Sequence, residues 1–242
     1  MCGRYLIDDE AYADILQILN DINAAKERTN MDNITRVGNL AVGGGLNENL
    51  LPGEFSRGEI FPTYIAPVIE NDRDSGDNSM VAIKWGFPHW KNTGVIINAR
   101  SETALEKKMF GKAMRERRCV VPSGGFFEWG HRSAPSIGKR KPKDKYLFRK
   151  PGDHMLYMAG IISTFRDDLG VEYAAYVILT TDANEYVSSI HDRMPVILSS
   201  DEIDLWTKDD AFMVYAIQRP GPELSSVLSN KKENEFYGNI LN

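Results

Sequence analysis

The feature that most constrains the fold is a run of strand-like segments in the second half of the chain, without helices placed regularly between them. Alternating strands and helices predict a parallel sheet, whereas runs of strands predict an α+β fold. We therefore predict a single domain spanning residues 1–242, with a curled, largely antiparallel, barrel-like β-sheet core flanked by helices. The predicted strands are residues 64–70, 80–86, 119–121, 126–129, 146–149, 155–162, 173–180 and 195–198.

Helices are predicted at residues 9–19, 101–118, 182–190 and 200–208. In the first, apolar residues recur at helical spacing after Asp8 and Asp9, either of which can cap it. Ser101 can cap the second, and Glu102 is favourable in its first turn. Residues 36–58 are rich in Gly and Asn, which indicates an irregular loop.

The distribution of charge indicates a surface that could meet phosphates. The net charge is -5, but residues 107–150 contain 14 Lys and Arg against three acidic residues. Such asymmetry can place a basic face on an acidic body, and a basic face attracts phosphates. The alternative for each run alone is ordinary solvation, on the wet side of a helix at residues 107–118 and in a loop at residues 139–145.

The cysteine count and the absence of a long apolar run indicate the compartment. Cys2 and Cys119 are too few for a disulfide scaffold. No run approaches the roughly 20 apolar residues that cross a bilayer, and the N-terminus lacks the pattern of a secretion signal. We expect a cytoplasmic monomer, nucleoid-associated in a bacterium, with no membrane contact. No metal is expected, because the Cys and His residues show no metal-ligand spacing.

Cys2 is the strongest candidate for chemistry. Met before a small residue is usually trimmed, which would leave Cys2 with both an α-amine and a thiol. Their ordinary pKa values, about 7.7–8.0 and about 8.5, give both groups nucleophilic forms near neutrality. A 1,2-aminothiol reacts specifically with aldehydes, since the amine forms a Schiff base and the thiol closes a thiazolidine ring. The alternative is a small, buried side chain at the start of a strand.

Two further side chains could move protons. Glu128 lies between Phe127 and Trp129 in an apolar strand, where a carboxyl can have a raised pKa. An outward-facing, solvated Glu128 is the alternative. His191 lies between a predicted helix and a strand, where it could be a general acid or base, although a structural hydrogen bond is the commoner role.

Other residues suggest contacts with nucleic acid. Arg100 lies at a predicted helix start beside Asn98, where backbone amides and the guanidinium could meet a phosphate; helix capping is the alternative for Asn98. Trp85 and Trp129 could stack on bases, although a tryptophan in an apolar strand is more often part of the core.

Seven short motifs, in order along most of the chain, together resemble the SOS-response-associated peptidase family. Each is weak alone, and the set is highly specific. They are Met-Cys-Gly-Arg-Tyr at residues 1–5, Trp-Gly-Phe-Pro at 85–88, Asn-Ala-Arg-Ser-Glu-Thr at 98–103, Arg-Cys-Val-Val-Pro at 118–122, Phe-Phe-Glu-Trp at 126–129, Thr-Thr-Asp-Ala-Asn at 180–184 and Ile-His-Asp-Arg-Met-Pro at 190–195.

The resemblance implies a sensor of abasic sites in single-stranded DNA that removes its own Met1 and crosslinks to the lesion without an organic cofactor. Cys2 would be the nucleophile and crosslinking residue, and Asn98 would position its α-amine. Glu128 would move protons, and His191 would assist opening of the abasic sugar to its aldehyde. The DNA-binding residues would be Arg4, Trp85, Arg100, Trp129 and Arg193, with Arg100 and Arg193 on phosphates and both tryptophans in the DNA channel.

The loop before Pro62 departs from the family pattern. It reads Gly-Glu-Ile-Phe from residue 58, where the family often has Asn and Ala, so no DNA contact is assigned to it. Two other functions stay open. One is an N-terminal-nucleophile cysteine peptidase or amidohydrolase acting in trans, with Cys2 activated by His191. The other is a single-strand binder without covalent chemistry.

Overall fold

A computed structural model describes residues 2–32, 55–71, 76–89, 94–130 and 143–229. Most of the Gly-rich stretch at residues 36–58, and residues 139–142 of the second basic run, lie outside these ranges. The described strands are β1 (Arg4–Ile7), β2 (Gly58–Ile60), β3 (Ile65–Asn71), β4 (Asn78–Trp85), β5 (Phe87–Pro88), β6 (Val95–Ile96), β7 (Asn98–Arg100), β8 (Arg118–Ser123), β9 (Gly125–Trp129), β10 (Lys145–Arg149), β11 (Leu156–Arg166), β12 (Glu172–Asp182), β13 (Arg193–Pro195), β14 (Ile197–Leu198) and β15 (Ser225–Leu228). The described helices are α1 (Asp9–Asp32), α2 (Ser101–Ala104), α3 (Gly111–Glu116), α4 (Ile203–Lys208) and α5 (Asp210–Gln218), with a 3₁₀ turn at Ser200–Glu202 before α4.

The larger sheet closes into a five-stranded barrel. Its strands pair in the order β3, β4, β12, β11 and β8, and β8 returns to β3. The interior positions are aliphatic and aromatic, and most are fully buried. The predicted α+β class and barrel-like core are confirmed. Two pairings are parallel, β12 with β4 and β12 with β7, and both join strands far apart in the chain, since a parallel pair needs a long crossover connection.

The second sheet is antiparallel, with the strand order β15, β10, β9, β1, β2. The first strand of the chain therefore lies inside this sheet, between β9 and β2. Tyr5 on β1 meets the barrel, and its hydroxyl lies 2.6 Å from that of Tyr176 on β12. Both rings are fully buried, so this hydrogen bond satisfies two hydroxyl groups that would otherwise be costly to bury.

The predicted helix at residues 101–118 is wrong in its length. The chain forms the short helices α2 and α3 instead, separated by a turn closed by hydrogen bonds from the amides of Phe110 and Gly111 to Lys107 O. Gly111 allows this reversal, because a Cβ there would lie 2.6 Å from Leu105 O. Ser101 does not cap α2 either. Arg100 is the N-cap, without a side-chain capping bond, and Ser101 is buried in the first turn.

Two other helix predictions differ in detail. Of residues 182–190, Asp182 ends β12 and residues 185–190 form turns rather than a helix. The segment at residues 200–208 begins as a 3₁₀ turn, and the cap is Ser199 in a reciprocal capping box with Glu202. The first helix has the predicted cap, since Asp8 Oδ1 accepts a hydrogen bond from the amide of Ala11 at 3.1 Å.

Candidate active site around Cys2

Cys2 is fully buried where the chain enters β1. Its Sγ lies 3.5 Å from Arg4 O, within reach of a weak S–H donor. Burial raises the pKa of the thiol far above its ordinary value, and the nearby Glu128 charge raises it further. The side chain is thus buried at the start of a strand, as the alternative interpretation had it, and the ordinary thiol pKa does not apply to this state, because desolvation disfavours the thiolate. Any reaction of this sulfur must include removal of its proton.

Asn98 contacts Cys2 directly. It is the first residue of β7, where its pairing with Ile178 on β12 fixes the backbone. Its Nδ2 donates to Cys2 O at 2.8 Å. The Oδ1 atom is buried and has no hydrogen-bond partner among the described residues. One amide thus anchors the start of the chain and keeps an acceptor available beside it.

Glu128 reaches the same place from β9. Its side chain is 2 % exposed, so it is not the outward-facing, solvated residue that strand alternation alone allowed. Burial raises the pKa of this carboxyl to about 7. A group with that pKa exchanges protons readily at neutral pH, which suits an acid–base catalyst.

His191 completes the cluster from the turn that precedes β13. Its Nε2 lies 3.7 Å from Glu128 Oε2. Its Nδ1 accepts a hydrogen bond from the amide of Arg193 at 3.0 Å. Arg193 O also lies 3.3 Å from Nδ1, so the backbone of Arg193 engages Nδ1 and leaves Nε2 facing the carboxyl. The structure thus brings together the four residues expected to carry chemistry: Cys2, Asn98, Glu128 and His191.

The arginines expected to meet phosphates differ in availability. Arg100 is exposed at the end of β7. Arg193 is only 11 % exposed and makes ion pairs with Glu102 at 2.6 Å and Asp182 at 2.5 Å. It also donates to Thr180 O at 2.6 Å. A phosphate would have to displace these partners, so the Arg193 contact stays a prediction.

Arg4 on β1 and Trp129 on β9 lie together on the second sheet, on the face opposite Tyr5 and the barrel. The guanidinium carbon of Arg4 is 5.3 Å from the centre of the Trp129 ring. The indole is partly exposed, which leaves ring surface for a base. The role of these two residues in binding DNA stays a prediction.

Trp85 does not belong to a DNA channel in this structure. It is fully buried, stacks on Tyr176 with ring centres 6.4 Å apart, and its Nε1 donates to Ile97 O at 3.1 Å. No face of the ring is open to a base, so the assignment of Trp85 as a DNA contact is wrong. Its place in an apolar strand made the core the natural position.

Replacing Trp85 is expected to affect stability and leave DNA binding unchanged. Trp85→Phe removes the indole hydrogen bond to Ile97 O, which keeps its bond from the Ile178 amide, and leaves space in a fully buried position. Together these losses cost about 1–3 kcal/mol of unfolding free energy. Urea denaturation measures this loss, with Trp129→Phe as the partly exposed control, expected within about 0.5 kcal/mol of the parent. A drop in DNA affinity for folded Trp85→Phe would contradict the core assignment.

Sequence reasoning overlooked Thr180 as a separate site residue. It is fully buried near the end of β12, opposite Arg100 in the β7 register, and its Oγ1 has no hydrogen-bond partner among the described residues. Its presence in the Thr-Thr-Asp-Ala-Asn motif was the available signal.

In the described part of the chain, no group of three or more His, Cys, Asp or Glu side chains is arranged to hold a metal ion. Within the same residues, no helix is both long enough and apolar enough to traverse a bilayer.

The fold and the cluster define an α+β barrel protein with a thiol, a carboxyl, an amide and an imidazole gathered at the start of the chain. The model of the SOS response associated peptidase (SRAP) family matches residues 1–223, so the chain belongs to that family. The chain is 31 % identical over 161 residues to the abasic site processing protein YoaM of Bacillus subtilis, covering 63 % of this chain and 68 % of that protein. It is 28 % identical over 194 residues to the abasic site processing protein HMCES of Xenopus tropicalis, covering 68 % of this chain and 58 % of that protein.

Solved structures share the fold. A Bacteroides thetaiotaomicron protein superposes with a TM-score of 0.61 at 25 % identity, covering 74 % of this chain and 80 % of that one. A Bordetella bronchiseptica protein superposes with a TM-score of 0.66 at 18 % identity, covering 95 % of this chain and 100 % of that one. The second likeness, at its low identity, concerns the fold alone.

Proposed function

We propose that this protein processes abasic sites in single-stranded DNA by forming a covalent thiazolidine crosslink through Cys2, after removing its own Met1. The observation that carries the proposal is the convergence on Cys2 of an amide anchor, Asn98, and a carboxyl with a pKa of about 7, Glu128. Family membership and the names of the two relatives, both abasic site processing proteins, support the same lesion.

Removal of Met1 requires cleavage of the peptide bond that precedes Cys2. The Cys2 sulfur attacks the Met1 carbonyl carbon while Glu128 accepts the thiol proton. The C–N bond breaks, the same proton passes to the departing amine, and water then hydrolyses the thioester to free methionine and restore the thiol. Asn98 Oδ1, which has no hydrogen-bond partner among the described residues, is available to accept a hydrogen bond from the new α-amine.

The crosslink joins that amine and thiol to the aldehyde of the opened deoxyribose. The amine adds to the carbonyl carbon, and loss of water gives an imine. The sulfur then attacks the imine carbon, and its proton moves through Glu128 to the nitrogen, which closes the ring. Because burial keeps the thiol protonated, the closing step depends on a base.

His191 acts earlier, on the sugar. The cyclic form of an abasic site opens when its anomeric hydroxyl loses a proton and its ring oxygen gains one. An imidazole whose Nε2 faces a carboxyl with a pKa of about 7 can supply both transfers. Arg100 and Trp129 hold the neighbouring nucleotides through a phosphate contact and stacking, and Arg4 and Arg193 join them when phosphates displace their carboxylate partners.

The experiment that tests the proposal uses the mature protein and two single-stranded oligonucleotides. One carries an abasic site, and the other carries the same site reduced to the alcohol, which has no aldehyde. A protein–DNA band that survives a denaturing gel is expected for the first only. No band with either DNA, once mass spectrometry has confirmed removal of Met1, would contradict the proposal and favour a hydrolase acting in trans.

A further inference from the structure

Glu59 bridges two cations on the second sheet (β15, β10, β9, β1, β2), on the face opposite Tyr5 and the barrel. Its Oε1 accepts from Arg4 Nη1 at 2.7 Å, and its Oε2 accepts from Lys145 Nζ at 2.5 Å. The Glu59 side chain is 11 % exposed, that of Arg4 35 % and that of Lys145 18 %. Three strands contribute one member each: β2, β1 and β10. Both carboxylate oxygens are thus occupied, and each cation has a fixed partner.

Aromatic rings surround the bridge. The guanidinium carbon of Arg4 lies 4.1 Å from the centre of the Phe61 ring. The ammonium of Lys145 lies 3.9 Å from the centre of the Phe127 ring and 5.9 Å from that of Trp129. Cations beside aromatic faces form the kind of surface that holds single-stranded nucleic acid through phosphate contacts and stacking. Here that surface contains an acid at its centre.

The acid changes what the surface can do. A cation that neutralises a phosphate releases a counterion and so contributes to affinity. A cation held in an ion pair by a carboxylate must exchange that partner for the phosphate, and the gain shrinks accordingly. Glu59 therefore competes with DNA phosphates for Arg4 and Lys145 together. Glu59 lies on β2, in the segment before Pro62 where the sequence departs from the family pattern.

We propose that Glu59 is a specificity-determining residue that weakens binding to intact single-stranded DNA by holding Arg4 and Lys145. The inference rests on the proposed function, because it treats this face as part of the DNA surface. If affinity for undamaged strands is low, the protein is retained only where it reacts covalently with an aldehyde, so selectivity for abasic sites comes from that reaction. Glu59 takes no part in bond formation and does not touch the reacting atoms.

The test measures equilibrium binding to an undamaged oligonucleotide across a range of salt concentrations, with Cys2→Ala as the parent so that no crosslink forms. Glu59→Gln is expected to steepen the dependence of log affinity on log salt by roughly 0.7 for each cation released, and to tighten binding about tenfold per cation near 50 mM salt. The matched control is Glu172→Gln, which breaks the exposed pair with Arg166 and makes the same change in charge. It is expected to leave the slope unchanged.

A second variant tests the bridge without altering Glu59. Introduced alone, Lys145→Gln is expected to leave the salt dependence of binding unchanged, since Glu59 already holds that charge. Introduced together with Glu59→Gln, it is expected to make the dependence of log affinity on log salt shallower by roughly 0.7 than in Glu59→Gln. The proposal is overturned if Glu59→Gln does not change the dependence of log affinity on log salt, or if Glu59→Gln and Glu172→Gln change it equally. It is also overturned if Lys145→Gln alone makes that dependence shallower. Because no aldehyde is present, these outcomes are separate from failure of the crosslinking proposal, which the denaturing gel reports.

Discussion

Cys2→Ala is expected to abolish the denaturation-resistant DNA adduct while leaving a weaker, trappable one. Without the sulfur this variant cannot remove Met1 by the proposed route, so Met1 is first removed with a methionine aminopeptidase. Alanine then offers an α-amine, which can form an imine with the abasic aldehyde. Without sulfur, no thiazolidine closes, and the imine hydrolyses when the protein is denatured. We expect the stable adduct to fall by on the order of 10³-fold or more, as for loss of a covalent nucleophile. Borohydride added before denaturation should recover a band by reducing the imine.

The matched control is the second cysteine. Cys119 is fully buried in the barrel on β8, and the Cys2 chemistry does not use it. Cys119→Ala is expected to retain the adduct at the level of the parent protein. A stable adduct with Cys2→Ala, or its loss with folded Cys119→Ala, would contradict the role given to Cys2. Met1 removal must be confirmed by mass for each variant, since an acylated amine cannot form the imine.

Glu128→Gln is expected to slow crosslinking by about 10²–10⁴-fold, the usual contribution of a positioned general acid or base. Burial raises the pKa of Glu128 to about 7, so the carboxyl is largely protonated below that pH and cannot accept the thiol proton. The parent rate should therefore rise with pH through about 7, and Glu128→Gln should lose this inflection. The measurement is a series of single-turnover time courses between about pH 5.5 and about pH 8.5, a range that brackets the Glu128 pKa of about 7. A parent rate that is flat through this range would count against the mechanism.

The same substitution should raise stability. A carboxyl whose pKa is higher in the folded than in the unfolded state destabilises the fold as pH rises from its unfolded pKa towards its folded one, since the unfolded chain releases the proton first. At pH 8 this cost is on the order of 2–4 kcal/mol, and a neutral glutamine avoids it. Glu116→Gln, at an exposed helix position, should change stability by less than about 0.5 kcal/mol. Loss of both activity and stability in Glu128→Gln would indicate misfolding rather than lost proton transfer.

The sequence predicted most strands because their residues alternate or cluster in ways that only a sheet satisfies. Residues 64–70 and 80–86 lie within one residue of β3 and β4 at most boundaries. Barrel closure through the parallel β4–β12 pair was beyond local patterns, since register between distant strands depends on tertiary packing. The failed helix at residues 101–118 shows the same limit. Its apolar spacing was helical, but Gly111 packed against Leu105 O breaks it.

For the candidate site, the sequence identified the residues but not their surroundings. The motif resemblance selected Cys2, Asn98, Glu128 and His191, which the structure brings together, although their roles stay predictions. Burial of Cys2 could not be read from the motifs and was only the alternative interpretation, so the raised pKa of its thiol was not predicted.

Partners contributed by other strands and loops were equally hidden in the sequence. The carboxylates that hold Arg193 come from α2 and β12, and the one that holds Arg4 comes from β2. Ion pairs of this kind depend on which elements become neighbours, which no single motif encodes.

The position of β1 inside its sheet has a consequence for biosynthesis. The first strand leaves the ribosome early, yet Tyr5 pairs with Phe126 on β9, which is made much later. Closing so long a loop costs conformational entropy, which only the assembled sheet repays. Under the proposed chemistry, Cys2 meets Glu128 only when β9 has joined β1. Loss of the initiator methionine would then mark a chain that has finished folding, and a nascent or misassembled chain would keep its reactive amine acylated.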